Sequence, residues 1–379
     1  MMFPFVLIML PALHASAHRP SLQELDTYTF SRFVRDFRKQ YTSTAEEARR
    51  KAIFEGNLDE IRRHNARDLS WTMNVNRYSD WTDEEFKSAR LGGLPAGVGK
   101  RLSLNAPVHK VPEGFTLKDL PESVDWREKD IISDVKDQGH CGSCYAHASA
   151  AMIESYVALN STLLPTLSTQ HVTECTPNPD ECGGTGNCNG NIPELVFDYV
   201  KENGIAIEWA YPYESYFGHQ SDCRFNATKY ANLLATVDGY VKLEENNYTA
   251  ILHALATVGP LAINVQADVW RHYHSGIYAG CSDLSNIDID HVVQLVGYGY
   301  DEKLQMPYWL VRNSWDVGFG EKGYIRLIRA PEPESVQCGT DLSPLDGTGC
   351  KGGPSSVKVC GMCGTLYDAS YPVGARFSH

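Results

Sequence analysis

The sequence predicts an α+β fold of two lobes behind a helical N-terminal segment. Three observations carry this: helical spacing of apolar residues early in the chain, an Ala-rich helix opening after Ser143, and short β-type runs between turn residues in the second half. A composition that is 42% apolar and 21% charged over 379 residues is ordinary for a globular chain and allows roughly two or three folded units.

The first stretch, "MMFPFVLIML", is apolar but too short to span a bilayer, and "ASA" at 15–17 has the small-x-small pattern of a signal-peptidase site. Residues 1–17 are therefore expected to be a secretory signal, with Pro4 and Pro11 speaking against a buried helix. No later run reaches transmembrane length, so no membrane span is expected. The expected destination is the secretory pathway, ending in a lysosome or vacuole or outside the cell. Asn160, Asn226 and Asn247 each open an Asn-x-Ser/Thr triplet and are candidate glycosylation sites on that route.

Residues 30, 33, 34 and 37 (Phe30, Phe33, Val34, Phe37) predict an amphipathic helix over 24–39, and a longer one is expected over 44–66, with Glu46 and Arg50 as an i, i+4 pair. "MNVNRYSD", 73–80, reads as extended. Residues 91–119 are rich in Gly and Pro and read as an exposed linker open to nicking. Residues 18–119 carry a small net positive charge, and residues 120–379 a negative one large enough to leave the whole chain at −13. A basic segment can dock on an acidic body and loosen as carboxylates take up protons. The expected organisation is a signal at 1–17, a prosegment at 18–119 and a mature body at 120–379. That acidic body excludes a nucleic-acid binder.

Ser143 is an N-cap candidate for the helix in "CYAHASAAMIESYVALN", where small residues all round imply close neighbours. The strands are expected in "GPLAINVQA", "HVVQLVGYG", "PYWLVRNSW" and "GYIRLIRA", and residues 331–362 as a disulfide-pinned loop rather than a further domain.

Chemistry concentrates in "QGHCGSCYAHA", 138–148. Secretion makes eleven cysteines informative: an odd count leaves one thiol outside the bridges. A redox pair at Cys141 and Cys144 would need a small βαβ context that the flanks lack. A zinc site joining them to Cys360 and Cys363 would lie far outside finger-like spacing, and no metal or other cofactor is expected. The remaining reading puts Cys144 at a helix N-terminus, whose dipole favours the thiolate. A thiolate nucleophile needs a base and a group to orient it. Among thirteen histidines, His291 opens a buried-looking strand at a distance from Cys144 that suits this role, and Asn313 follows in "RNSW".

Taken together these residues resemble the papain family of cysteine endopeptidases, specifically its cathepsin L-like branch, over nearly everything after the signal. Glu46, Arg50, Phe54, Asn57, Ile61 and Asn65 match that branch's "ERFNIN" prosegment helix, and 74–80 resembles its "GxNxFxD" motif, with Asn74 and Tyr78 substituted and Asn76 and Asp80 kept. "LPESVDWR", from Leu120, is similar to the mature N-terminus of the family. The resemblance implies a papain-like two-lobed fold: a helical left lobe, an antiparallel β-barrel-like right lobe, the active cleft between them, and an inhibitory prosegment in front. It implies Cys144 as nucleophile, His291 as imidazolium partner, Asn313 orienting that ring under Trp315, and Gln138 as an oxyanion donor, so that peptides are hydrolysed through a thioester acyl-enzyme. It also implies bridges Cys141–Cys188, Cys175–Cys223 and Cys281–Cys363, and leaves Cys182, Cys338, Cys350 and Cys360 to form two bridges of open connectivity.

Substrate contacts are implied at Gly190, Asn191, Ile192, Pro193, Asn264, Asp290, Trp315 and Asp368. Asp368 is expected at a pocket floor, where a carboxylate would admit Arg or Lys. Asn191 replaces a glycine of the family, in a turn that Asn tolerates through the left-handed region. The implied partners are protein and peptide substrates, the chain's own prosegment as intramolecular inhibitor, and cystatin-type inhibitors, with the protein a monomer. The rival readings are a papain-like exopeptidase, which needs an inserted segment across one end of the cleft, and a catalytically idle binding protein on the same scaffold. Insertions near 176–187 and 331–362 are the segments available for such a block.

Overall fold

The structure, a computed structural model, describes residues 19–91, 99–100, 106–230 and 232–377. The signal expected at 1–17 and parts of the expected linker, 92–98 and 101–105, lie outside the described residues.

The prosegment opens with a 3-10 turn, Leu22–Thr27, and helix α1 (Phe30–Asp36). The single helix expected over 24–39 is divided because Thr29 is extended and caps α1, its side chain accepting the Arg32 N–H. Helix α2 (Thr44–Asn65) fills the longer expected span, capped by Ser43, which accepts the Glu46 N–H. Phe54, Leu58 and Ile61 of α2 pack on Leu25, Tyr28, Phe30 and Phe33 to give the prosegment its own apolar core. The polar members of the helix motif hold the chain that follows. Arg50 bonds Glu46 at 2.6 Å and the Asp80 carbonyl at 2.9 Å, Asn57 donates to the Ser79 and Trp81 carbonyls, and Asn65 exchanges two bonds with Met73. Of the segment expected to be extended, only Met73 lies in a strand, at the end of β1 (Trp71–Met73). The rest turns, with Asn76 Oδ1 accepting the Tyr78 N–H at 2.8 Å and Asp80 bound to Lys39 and Tyr41. Helix α3 (Asp83–Arg90) follows, capped reciprocally by Thr82 and Glu85, and then strand β2 (Gly99–Lys100).

In the body, β3 (Val124–Asp125) precedes α4 (Cys144–Ser161), α5 (Thr169–Cys175), α6 (Pro193–Asn203), β4 (Ile205–Ala206), α7 (Ala227–Tyr230) and β5 (Leu234–Thr236). Next come β6 (Gly239–Lys242), α8 (Tyr248–Thr257), β7 (Leu261–Val265), β8 (Tyr273–Tyr278), β9 (His291–Asp301), β10 (Met306–Arg312) and β11 (Tyr324–Ile328). The C-terminal part adds β12 (Cys338–Asp341), β13 (Cys350–Lys351), β14 (Val357–Cys360), β15 (Ala369–Val373) and β16 (Arg376–Phe377).

Helix α4 is buried on every side from Cys144 to Ala158, as its small residues predict, and packs on β9, α5 and α6. The right lobe is a mostly antiparallel sheet in the order β1-β8-β11-β10-β9-β7-β15-β6, with β3 also on β9 and one parallel pair, β8 with β11. This corrects the β-barrel-like expectation. Among the described residues the end strands β6 and β1 do not pair, so the sheet stays open, and one of its edges is supplied by the prosegment.

Residues 331–362 do form a disulfide-pinned insertion, but an ordered one. Strands β12 and β14 make a hairpin closed by Cys338–Cys360 and seated on the right lobe, where the Ile287 N–H donates to the Thr340 carbonyl at 2.7 Å. From that hairpin the chain crosses to the left lobe. Gly347 lies against the Ile289 carbonyl so closely that a Cβ would come within 2.0 Å, the Gly183 N–H donates to the Gly349 carbonyl, and Cys350 is bonded to Cys182. The two sequence insertions therefore meet as one strap fastened to both lobes.

Truncating the prosegment core at Phe54, which is wholly buried, is expected to cost about 3–5 kcal/mol. In Phe54→Ala zymogen, limited proteolysis is expected to remove the prosegment sooner, while the thermal transition of the body stays in place.

Candidate active site

Cys144 is the first residue of α4, and it is the free cysteine left after five disulfides. Those disulfides join Cys141 to Cys188, Cys175 to Cys223 and Cys281 to Cys363, and the four remaining cysteines pair as Cys182–Cys350 and Cys338–Cys360. Ser143 holds the N-cap position, yet its hydroxyl bonds Tyr213 at 2.8 Å instead of capping the helix.

His291 is the first residue of β9, the strand packed along α4. The backbone N–H of Val292, next to it, faces the Cys144 sulfur. On the far side of the ring, His291 Nε2 bonds Asn313 Oδ1 at 2.8 Å, leaving Nδ1 without a hydrogen-bond partner. Asn313 Oδ1 is pinned in turn by the Ser314 N–H, and Trp315 covers the ring with its centroid 4.8 Å away. A neutral imidazole that donates through Nε2 offers Nδ1 as an acceptor.

Gln138 is fully buried. The Ser314 hydroxyl donates to its Oε1 at 2.7 Å, which turns Nε2 toward the cleft. There Nε2 donates to the Cys141 carbonyl at 2.9 Å and to a prosegment carbonyl, that of Arg90, at 2.7 Å. Sequence reading found Gln138 but not Ser314, although the serine stands beside Asn313 in "RNSW". The prosegment is locked at this point. The Arg90 guanidinium is buried against the Gly139 carbonyl, the Tyr78 hydroxyl and Asp137, while Phe86 meets Trp315 edge-on and Leu91 joins the apolar cluster that contains Cys144. Arg77 adds ion pairs to Asp137 and Asp316.

Under this cover burial pushes both the Cys144 thiol and the His291 imidazole toward their neutral forms. Burial pushes the Cys144 thiol up to about 12, only partly offset by the Val292 and Tyr145 N–H groups. Burial likewise brings His291 down to about 4, against the opposing effect of Asn313. The helix-dipole expectation of a thiolate is therefore not met in the covered state, because desolvation outweighs the dipole. His147, one turn along α4, bonds the Ser143 carbonyl and is pushed by burial to about 3, so it is a packed core histidine.

Of the expected pocket residues, Asn264 and Asp368 are hydrogen-bonded to each other at 3.2 Å, and at Asn191 and Asp368 the structure differs from the expectation. Left-handed backbone falls on Gly190 (φ +87) rather than on Asn191, whose Oδ1 accepts the Ile192 N–H at 2.8 Å. Asp368 bonds Asn264 but does not stand ready for a substrate cation: Lys242 Nζ lies 2.6 Å from its Oδ1 and 2.8 Å from Glu194, so it already has a cationic partner within the protein, shared with Glu194. Neither Lys242 nor Glu194 was legible as a pocket residue, because their convergence depends on tertiary packing. Ile192 and Pro193 lie at the start of α6, and Asp290 Oδ1 accepts the Ala267 N–H at 2.8 Å. Among the described residues no group of His, Cys, Asp or Glu is arranged to hold a metal. Of the glycosylation candidates, Asn160 and Asn226 are exposed, while Asn247 caps α8.

The family described as papain family cysteine protease matches residues 120–348, and the cathepsin propeptide inhibitor domain matches residues 30–86. Cathepsin L of Sarcophaga peregrina is 34% identical over 344 residues, 88% of this chain and 96% of that protein. Cathepsin L1 of Drosophila melanogaster is also 34% identical, covering 88% of each. Among solved structures, digestive procathepsin L 3 of Tenebrio molitor larval midgut superposes with a TM-score of 0.70 at 29% identity, covering 93% of this chain and 100% of that one. The recombinant stem bromelain precursor gives 0.71 at 27% identity, covering 91% and 97%.

A neutral, covered thiol reacts slowly with alkylating agents. Iodoacetamide labelling of Cys144 in intact zymogen is expected to be slow and flat between pH 5 and 8, and to accelerate at least 100-fold once the prosegment is removed, as followed by intact mass.

Proposed function

The chain belongs to the papain family of cysteine proteases, and on that footing we propose how its residues divide the catalytic work. The protein is a cathepsin L-like cysteine endopeptidase made as a zymogen with a propeptide inhibitor domain. Cys144 attacks the scissile carbonyl, and His291 takes the thiol proton at Nδ1 and returns it to the leaving amine. Asn313 holds the ring at the angle that both transfers need. As the carbonyl becomes tetrahedral, its oxygen gains charge, and Gln138 Nε2 together with the Cys144 N–H receives it. The amine departs, a thioester remains on Cys144, and water activated by His291 releases the acid and regenerates the thiol.

One observation carries this assignment: Gln138 Nε2 already donates to a peptide carbonyl oxygen, that of Arg90. The prosegment thus sits in the oxyanion position as an inhibitor whose chain is threaded by its own anchors. When it leaves, water enters, the desolvation penalty falls, and the thiol and imidazole can exchange their proton into an ion pair.

Release is proposed to be acid-triggered. His109, in the segment linking prosegment to body, lies 2.8 Å from His253 of α8 through facing ring nitrogens, with the Tyr371 hydroxyl at 3.1 Å and Phe115 against His253. Burial lowers the pKa of both histidines, and each would repel the other's charge. A group with a depressed folded pKa stabilises docking above its ordinary pKa, about 6.5 for histidine, and that contribution is lost as pH falls. The five disulfides fit an oxidising compartment, and among the described residues no helix is long and apolar enough to cross a membrane. A lysosomal, vacuolar or extracellular destination, use of the three glycosylation triplets, and a monomer open to cystatin-type inhibitors belong to the same reading.

Titration of the acid-processed enzyme with an irreversible thiol-directed epoxide is expected to label one equivalent and none in Cys144→Ala, and Gln138→Ala to lower kcat about 10²–10³-fold. Labelling at another cysteine would overturn the assignment. His109→Gln zymogen is expected to process at lower pH than wild type, read by the conversion midpoint on gels between pH 7 and 4.

A further inference from the structure

The strap that joins the two lobes brings carboxylates to the segment just before His291. Asp288 lies three residues before His291 on the right-hand wall, and the insertion adds Asp341 and Asp346 beside it. All three are at least nine-tenths buried, and each keeps one carboxylate oxygen without a hydrogen-bond partner: Asp288 Oδ1, Asp341 Oδ2 and Asp346 Oδ1. Asp268 and Asp290 stand in the same acidic neighbourhood, and burial raises the pKa of both. Burial and the charge of Asp288 raise Asp346 to about 6 and Asp341 to about 7, the behaviour of carboxyls that lack enough positive charge nearby.

What meets this cluster is a primary ammonium from the segment that maturation removes. Lys87 of α3 bonds Asp288 and stands 3.9 Å from Asp346. It lies between Phe86, which touches Trp315, and Arg90, whose carbonyl sits on Gln138, so its amine is held within the span that a substrate takes over. Removing Lys87 takes its ammonium away from Asp288 and Asp346, a lost pairing that a new cation restores.

We propose that Asp288, Asp341 and Asp346, gathered under the Cys182–Cys350 strap, form a binding site for the ammonium of a peptide substrate, with Lys87 as its occupant in the zymogen. This deepens the endopeptidase reading and rests on it. The ammonium has two sources, a lysine side chain or the free N-terminus of a peptide. The strap bears on which one is used, since it crosses from Ile289 on one wall to Gly183 beside Asn191 and Ile192 on the other, and so narrows the cleft between the pocket walls. The site owes nothing to Asp368, whose charge Lys242 answers.

The test uses acid-processed enzyme, with concentration fixed by epoxide titration, and a fluorogenic peptide in four forms: lysine or norleucine within the sequence, each with a free or acetylated N-terminus. The expected result is a kcat/KM preference of about tenfold or more for one ammonium source, the size of a charge-assisted hydrogen bond. That ratio should collapse toward one in both Asp346→Asn and Asp288→Asn. Sensitivity to norleucine assigns the site to a side chain, and sensitivity to acetylation assigns it to the N-terminus. Equal rates for all four peptides, or a preference that both variants retain, would overturn the proposal. Failure of the endopeptidase reading looks different: no epoxide labelling and no cleavage of any form. As a second readout, Lys87→Met zymogen should lose its prosegment at higher pH than wild type, and an unaltered midpoint would count against Lys87 as the occupant.

Discussion

The hydrogen bond from Gln138 to the Arg90 carbonyl is the constraint around which the zymogen is organised. On the proposed mechanism it puts a main-chain carbonyl on the oxyanion donor, and the surrounding contacts of Arg90, Phe86 and Leu91 keep water away from Cys144 and His291. Inhibition therefore has two physical parts. One is occupancy, since the oxyanion donor is already used. The other is dielectric, since a dry cleft holds the thiol and imidazole in their uncharged forms, where neither can begin the reaction.

The prosegment reaches that position because its residues serve two surfaces. Phe54 and Ile61 of α2 make an independent apolar core, while Arg50, Asn57 and Asn65 clamp the turn that follows. That turn presents Asn76 to the Arg271 carbonyl and Arg77 to Asp137 and Asp316 of the body. Asp316 is thereby a docking partner for the prosegment.

Features set by local periodicity or by specific motifs were legible in the sequence. Helix α2 runs from Thr44 to Asn65 against an expectation of 44–66, α4 starts at Cys144, and β7, β9, β10 and β11 fall in the four runs that predict them, whereas β8 and β12 to β16 were not expected. Cys144 and His291 were singled out by helix position and spacing, Asn313 and Gln138 by the family resemblance, and the structure joins His291 to Asn313 and Gln138 to the Cys141 carbonyl. What escaped depends on contacts between distant segments. The pairing of Asp368 needs Lys242 to converge on it and on Glu194, the partner of Cys182 lies 168 residues away, and the raised pKa of the thiol comes from burial that no helix-dipole argument includes. An open sheet instead of a barrel also lay beyond the sequence, because strand count does not decide whether the end strands meet.

Strand β1 has a use beyond carrying the chain toward the cleft. It pairs with β8, Trp71 opposite Gly276, and so finishes one margin of the body's largest sheet with main chain that the mature enzyme does not own. Cutting away the prosegment unzips that margin and leaves a row of amides and carbonyls facing solvent, the kind of surface on which extended chains from other molecules add themselves. Maturation thus exchanges a self-sealed sheet for one whose β8 border has lost its partner strand.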